Sequence, residues 1–445
     1  MRTPPSLPIG FEPDVAAARR VIGSALAERR EQLSESEAKV VLGAFGVPTV
    51  ETRIARDGAH AAQLASKLGL PVALKILSPD VVHKSDVGGV ALDLETPAAV
   101  RRAARAMIER LQERSPEARL HGFTVQPMAR RPGAHELFVG AATDPVFGPV
   151  VLFGQGGIGV EVIADRAVSL PPLDLELARE LVGRTRVARL LSGYRSRPAA
   201  DLEAIALALV RVSQLLIDLP EVVELDINPL LADEHGVLAL DARMCVTRKP
   251  APERLAIRPY PRELEEDLAL HDGRRVRMRP IRPEDEPAHH AFHARLEPED
   301  VYFRFFNLVR EMPHSQMARY TQVDYDREMA FIATDPHTDP AETLGVVRAV
   351  ASPDGAEAEF AIIVRSDMKG KGLGHALLEK MIRYCRQRGI GELVGQVLPR
   401  NRSMLALAKD LGFASRWLRD EDTVEVRLPL DSRPPPAGRV SARSR

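Results

Sequence analysis

The stretch VRSDMKGKGLGHALLEKM, residues 364–381, constrains the fold more than any other part of the chain. An apolar run, EFAIIV, leads into it, glycines follow at 370, 372 and 374, and a helical pattern comes next. Leu378, Met381, Ile382 and Cys385 stand at i, i+3, i+4 and i+7, which gives a helix one apolar face. Gly389 is placed to end that helix. A tight glycine turn at a helix start leaves backbone N–H groups unpaired at the positive end of the helix dipole, so the predicted element is an anion site; the plainer alternative is an ordinary glycine turn. Spacing excludes two familiar phosphate loops. A P-loop needs G-x-x-x-x-G-K-[ST], and no Lys-Ser/Thr pair follows these glycines. A dinucleotide fingerprint needs G-x-G-x-x-G/A, but the third position is His375 counted from Gly370 and Leu377 counted from Gly372.

At 445 residues the chain is long enough for two or three domains, and 45% apolar content supplies real cores. Lys+Arg of 61 against Asp+Glu of 62 leaves a net charge of −1, which argues against nucleic acid as a partner. Two distant cysteines, Cys245 and Cys385, point to a reducing compartment without a disulfide framework. The opening MRTPPSLPIGFEPD has no apolar core of a signal peptide. The run IALALVRVSQLLIDL is broken by Arg211 and is too short to cross a bilayer. The expectation is a cytoplasmic protein with no membrane partner. Proline-rich punctuation at 248–268 suggests the division: a lead and helix over 1–33, a first domain over 34–247, a linker over 248–275, a second domain over 276–430, and a Pro/Ser/Arg-rich disordered tail over 431–445.

Strand and helix patterns alternate through 34–247, so the class is α/β. Gly154-Gln155-Gly156-Gly157-Ile158-Gly159 is a literal G-x-G-x-x-G after an apolar strand, but a dinucleotide site requires a helix next. The following VEVIADRAV is β-branched and alternating and reads as strand, so that site is rejected. The glycines can still form a loop over a phosphate. Lys75 lies in a predicted strand, His83 and Lys84 precede Gly88-Gly89, and two strands carry Glu224, Asp226, Asn228 and Asp241. Carboxylate and amide oxygens are hard ligands suited to Mg²⁺ on nucleotide phosphates. This module resembles the ATP-grasp domain of NDP-forming acyl-CoA synthetases and of the succinyl-CoA synthetase β-subunit. The resemblance implies ATP and Mg²⁺, with Lys75 on the phosphates, Gln126 and Met128 of VQPM at the adenine hinge, and Glu136 near the nucleotide. It also implies Asn228 and Asp241 as metal ligands and His83 as a phosphoryl relay. Each has a blander reading, a solvated strand lysine or a packed histidine among them. Synthetases of this type also use a CoA-binding domain and a ligase domain, and nothing in the chain resembles either. The module is therefore expected to need a CoA-binding/ligase partner chain, or to sense rather than catalyse.

In the second domain VRMRPI reads as a strand, and VYFRFF places Phe303 and Phe306 partly in the core. MAFIATD, TLGVVRAVAS and AEFAIIV read as successive antiparallel strands before the glycine loop. VGQVLPRN follows, with Asn401 after a strand, and LGF stands at 411–413 after a helix. This arrangement resembles the GNAT acyltransferases, which implies a mixed sheet flanked by helices. It makes Lys369, Gly370, Lys371, Gly372, Leu373 and Gly374 the cradle for the pyrophosphate of acetyl-CoA, with Lys369 where the family has Gln or Arg. Glu359 becomes the general base, with Glu357 its near competitor, and backbone N–H groups around Ile362 and Val364 polarise the thioester. Asn401 either contacts the CoA arm or caps a helix. Many members place a tyrosine seven residues beyond that asparagine, and here the position is Ala408. Cys385, on the apolar helix face, reads as core rather than nucleophile.

An ATP-grasp segment joined to a GNAT domain resembles the bacterial Pat-type protein lysine acetyltransferases, without the N-terminal domains of their long forms. That implies an acetyl-CoA-dependent protein N-ε-lysine acetyltransferase, with acyl-CoA synthetases among its protein substrates. Two other readings stay open. One is a β-like subunit of an NDP-forming acetate–CoA synthetase; the other is a ligand-sensing ATP-grasp module that gates the GNAT domain.

Overall fold

The computed structural model describes residues 12–81, 84, 86–157, 165–193, 198–250, 255–307 and 312–430. The chain divides into two compact units, one ending at Ile257 and the other beginning at Arg258.

The first unit holds eleven described strands. They are β1 Gln32–Leu33, β2 Arg53–Ala55, β3 Val72–Leu77, β4 Val90–Leu94, β5 Gly122–Pro127, β6 His135–Asp144, β7 Gly148–Gln155, β8 Arg166–Ser169, β9 Val222–Asp233, β10 Gly236–Ala239 and β11 Ala242–Val246. They form two antiparallel sheets, a small one ordered β2-β5-β3-β4 and a larger one ordered β1-β11-β9-β6-β7-β8 with β10 on β9. The small sheet is covered by helices Gly58–Leu68 and Pro97–Arg114, whose Ala61, Ala62, Ala65 and Ala104 let them approach closely. A Cβ on Gly58 would stand 2.8 Å from the Ala104 Cβ, so the approach requires glycine there. The larger sheet buries Leu137, Phe153 and Leu225 against helix Leu202–Asp218. That helix is the apolar run interrupted by Arg211, whose guanidinium donates to the Gly46 carbonyl at 2.6 Å. Among the described residues, no helix is long and apolar enough to cross a membrane.

The helix expected within 1–33 is Val15–Ala27; it buries Ile22 and Ala25 in the same core as Phe45, and β1 pairs with β11, so both belong to the unit expected to begin at 34. Of the strand expected over 160–168, only Arg166–Ser169 lies in a described strand; residues 158–164 are outside the described residues.

The second unit is one sheet ordered β12-β13-β14-β15-β16-β17-β19-β18. Its strands are β12 Glu266–Ala269, β13 Arg275–Pro280, β14 Glu328–Asp335, β15 Glu342–Ala351, β16 Glu357–Val364, β17 Glu392–Val397, β18 Ala414–Leu418 and β19 Thr423–Pro429. All neighbours are antiparallel except β16 and β17. Helix Leu373–Gln387 covers one face, burying Leu378, Met381, Ile382 and Cys385 as their spacing dictates. The other face packs Ile332, Val346 and Ile363 against Phe292 of helix Glu286–Ala294.

The linker expected to run to residue 275 is shorter. β12 pairs with β13, the buried Lys380 ammonium donates to the Leu264 carbonyl at 2.7 Å, and the Tyr260 ring meets Tyr325 edge-on at 5.9 Å. Prolines here punctuate a folded edge rather than a free connection. Phe306 is 41% exposed rather than core. Helix Pro298–Phe305 ends one residue before it, and Phe306 takes a left-handed φ of 54° that turns it outward. Phe305 is half-buried instead, 5.9 Å from the His293 ring and 6.3 Å from Tyr320. The tail 431–445 is outside the described residues.

Beneath β15 and β16 lie two imidazoles. Burial pushes His289 down to about 3, with His293, Arg348, His290 and Arg304 adding to it. His293 falls to about 4, from burial first and then Arg304 and His290. The unfolded imidazoles take a proton near pH 6.5 and the folded ones do not, so acid favours the unfolded chain. The stability of the second unit should therefore fall as pH drops from about 6.5 toward about 4, by up to roughly 1.4 kcal/mol per pH unit for each histidine. Thermal unfolding across that range measures it, with His289→Phe expected to flatten the slope; a wild-type curve flat from pH 6.5 to 4 would refute it.

Candidate functional site

In the first unit, charge gathers between the two sheets. Ser34 caps helix Glu35–Ala44 in a capping box: its hydroxyl accepts from the Glu37 N–H at 3.3 Å, and the Glu37 carboxylate accepts from the Ser34 N–H at 2.7 Å. This fixes Glu35 in the first turn, at the positive helix end, with its side chain only 2% exposed. One oxygen of Glu35 accepts from Lys39 at 2.9 Å, Lys75 at 2.9 Å and Gln126 at 2.5 Å. The other accepts from Lys84 at 2.7 Å. Burial alone would raise the Glu35 carboxyl, but Lys75, Lys84 and Lys39 together hold it well below the usual carboxylate range. Lys75 also meets Asp241 at 3.1 Å; burial opposes its charge, and Glu35 with Asp241 raises it above the ordinary lysine value. A cleft of about 690 Å³ opens beside this group, lined by Glu35, Lys84, Arg119, His121, Asp241 and Arg243 among others.

The register pairing Ala242 with Ile227, and Ala239 with Leu230, sets Asp241 level with Asn228. Asn228 accepts from the Gly157 N–H at 2.9 Å, and the Glu136 carbonyl accepts from Gly156 at 2.8 Å. Gly157 has φ +83°, and a Cβ there would lie 2.1 Å from a Glu136 carboxylate oxygen, so the glycine turn closes directly over Glu136. Lys75, Glu136, Asn228, Asp241 and the glycine turn thus belong to one unit around its two sheets. The Gln126 side chain donates to Glu35, while the Met128 N–H donates to the Pro71 carbonyl at 3.0 Å, where β5 leaves the small sheet toward the larger one. His83 is outside the described residues. Asn228 of β9 and Asp241, between β10 and β11, present hard oxygens, a donor set that fits Mg²⁺. One Asp241 oxygen accepts from the Ala242 N–H at 2.8 Å and the other faces Lys75, so a metal would meet the oxygen that Lys75 now holds. Glu35 escaped the sequence reading; the S-x-x-E box at 34–37 was its one legible signal.

In the second unit the parallel ladder between β16 and β17 covers only Glu357↔Glu392, Ala358↔Leu393 and Glu359↔Val394. β16 continues to Val364, so the two strands part beyond Glu359. The Phe360 ring lies against Gly395 on β17, where a Cβ would be 2.7 Å away. Ile362 and Val364 lie along the parted stretch, still paired on their other side with Val347 and Gly345 of β15. The glycine loop follows. Gly372 caps helix Leu373–Gln387 at φ +86° with no side-chain cap, so its first-turn N–H groups are left to a ligand. Gly370 also has positive φ, and Gly374 sits against Leu407 with room for little more. Lys369 is tied to the buried Asp300, which also accepts from Ser366 at 2.5 Å; Lys371 lies 3.9 Å from the Met368 sulfur. Lys369 is thus held by Asp300, and the turn presents backbone N–H groups at the start of the helix.

Asn401 caps helix Arg402–Asp410, accepting from the Met404 N–H at 3.1 Å, and Ala408 on that helix is fully buried. Glu359 is exposed, at the last rung before the fork. Burial pushes the nearby Arg304 guanidinium down, opposed by Tyr320 and Glu359. Glu357 stands 3.7 Å from Arg427. Burial pushes the Cys385 thiol up to about 12, which leaves it inert.

Two sheets with a cleft beside a cluster of three lysines around Glu35, followed by a forked mixed sheet with a glycine-capped helix, define an ATP-grasp domain followed by a GNAT domain. Residues 24–246 match the family of ATP-grasp domains and residues 275–414 the acetyltransferase (GNAT) domain. The chain belongs to the ATP-grasp family and, through its GNAT domain, is an acyltransferase. It is 39% identical to the β subunit of the ADP-forming acetate–CoA ligase I of Pyrococcus furiosus, over 52% of this chain and 98% of that one. It is 42% identical to the single-chain ADP-forming acetate–CoA ligase I of Archaeoglobus fulgidus over 48% of this chain, but spans only 32% of that relative's length. An acetyltransferase of Pseudomonas aeruginosa is 30% identical over 36% of this chain and 88% of its own. Among solved structures, the dinucleotide-forming acetyl-coenzyme A synthetase 1 of Ca. Korarchaeum cryptofilum, in complex with coenzyme A and Ca-AMPCP, superposes with a TM-score of 0.50. It is 37% identical, over 52% of this chain and all of that one.

A side chain at Gly372 would be strained by its left-handed backbone and would stand 3.0 Å from the His271 ring. Gly372→Val should raise KM for acetyl-CoA about tenfold, the effect of roughly 1.4 kcal/mol, with a small loss of Tm. Steady-state kinetics with varied acetyl-CoA measures it, and an unchanged KM would contradict the cradle.

Proposed function

We propose that this chain is an acetyl-CoA-dependent protein N-ε-lysine acetyltransferase of the Pat type, with Glu359 as general base. The observation that carries the reading is the position of Glu359: the last rung of the parallel ladder, at the mouth of the fork that leads to the uncapped glycine helix. The N–H groups of the Gly370–Gly374 turn hold the pyrophosphate of acetyl-CoA. Those around Ile362 and Val364, released where the strands part, polarise the thioester carbonyl. A lysine ammonium of ordinary pKa about 10.4 is not a nucleophile. Glu359 removes its proton directly or through one water, the amine attacks the carbonyl carbon, and the CoA thiolate departs. Ala408 cannot supply a proton, so the thiolate, with a thiol pKa near 8.5, leaves as the anion or is protonated by water. Acyl-CoA synthetases are the proposed acceptors, and the cytoplasm the proposed location. In the first unit, Lys75, Asn228 and Asp241 would hold MgATP, which supplies a polarised phosphoryl group when bound.

A second reading rests on the near-complete span of the ligase β subunit. In it the first unit works as a β-like synthetase subunit with a separate CoA-binding/ligase partner.

Purified protein, acetyl-CoA and an acetyl-CoA synthetase, read by mass spectrometry for lysine acetylation, test the first reading. Glu359→Gln should lower the rate by roughly 10²–10⁴-fold. Full activity in that variant would remove Glu359 as base. No acetylation by wild type, with ADP formed only when a CoA-binding partner is added, would favour the second reading.

A further inference from the structure

Lys75 is the only described side chain that links the Glu35 cluster directly to a proposed metal ligand. Its ammonium sits near the middle of the small sheet, 8% exposed, between Glu35 at 2.9 Å and Asp241 at 3.1 Å. A buried ammonium without a counter-charge is costly. The two carboxylates differ in what else they can do. Asp241 is one-third exposed, at the wall of the cleft, level with Asn228, and its outer oxygen is the one Lys75 occupies. Glu35 is 2% exposed and held by four donors, Lys39, Lys75 and Gln126 on one oxygen and Lys84 on the other. It cannot turn toward a ligand.

We propose that Glu35 is the positioning residue of the nucleotide site: it retains Lys75 when Asp241 exchanges Lys75 for the metal of a metal–nucleoside triphosphate. The inference rests on the ATP-grasp reading of the first unit. On arrival of the complex, Asp241 gives its oxygen to the divalent cation and Lys75 turns that side of its ammonium to a phosphate oxygen. No covalent bond changes. The Lys75–Asp241 pair is thus a placeholder for the phosphate–metal pair. The exchange is feasible because Glu35 stays bound to Lys75 throughout. Metal and nucleotide binding become linked. Without metal, a triphosphate competes with Asp241 for Lys75; with metal, Asp241 is drawn away from Lys75 by the same ligand that uses it.

The test is calorimetric titration of ATP into the full chain, once with Mg²⁺ and once with EDTA. Wild type should bind more tightly with Mg²⁺. Removing Glu35 strands Lys75 whenever Asp241 leaves it, so the ratio of the two dissociation constants should fall at least fivefold. Glu35→Gln alone leaves three lysines around a neutral group, which endangers folding, so Glu35→Gln/Lys39→Met, which removes one charge of each sign, serves beside it. A purely structural role for Glu35 would weaken both titrations equally and leave the ratio unchanged, which would overturn the proposal. Wild type that binds ATP under neither condition would instead sink the ATP-grasp reading. Wild type that binds, with Lys75→Met losing that binding and the Glu35 variants keeping the wild-type ratio, would remove Glu35 alone.

Discussion

The second unit depends on one constraint: a parallel pair inside an otherwise antiparallel sheet. Parallel neighbours cannot be joined by a hairpin, so the chain must leave β16 at its carboxyl end, cross one face of the sheet and return to start β17. That crossover is the glycine loop and helix Leu373–Gln387. It brings a helix N-terminus to the carboxyl edge of a strand, where open α/β sheets collect ligands. The ladder lasts three rungs, so the strands then diverge and expose main-chain groups along Ile362–Val364. The fork, the anion cradle and the place of Glu359 all follow from that one connection.

The first unit is governed by a different economy of charge. Its sheets are antiparallel and could pack on apolar contacts alone, as Phe123, Ile76 and Leu74 do on the helix side of the small sheet. Yet the cleft side carries three lysines around one carboxylate, an arrangement whose desolvation offsets much of its Coulomb gain. Such a cluster contributes little net stability, and an anionic ligand is the natural complement to its excess positive charge.

Much of this architecture was legible because it rests on period and spacing. Leu378, Met381, Ile382 and Cys385 lie inside because 3.6-residue periodicity leaves them no other face. The succession of strands before the glycine loop followed from apolar runs between turn residues. The site was harder to read. Glu35 and Lys39 are one helical turn apart, but Lys75 and Gln126 lie 40 and 91 residues from Glu35, and only folding makes one group of them. Asn401 allowed two roles, and its capping bond is visible only once the helix is built. The proline-rich stretch before β13 misled for a related reason: proline marks where regular pairing pauses, without saying whether the segment between pauses is packed. Phe306 failed by one residue of helix length, the margin at which terminal assignments are least determined.

The Lys369–Asp300 pair has a wider consequence. The ammonium of Lys369 is already committed to Asp300 on helix Pro298–Phe305, so at that position the loop offers its peptide groups rather than its charge. The left-handed backbone at Gly370 and Gly372 then matters more to the shape of the loop than the charge carried at 369.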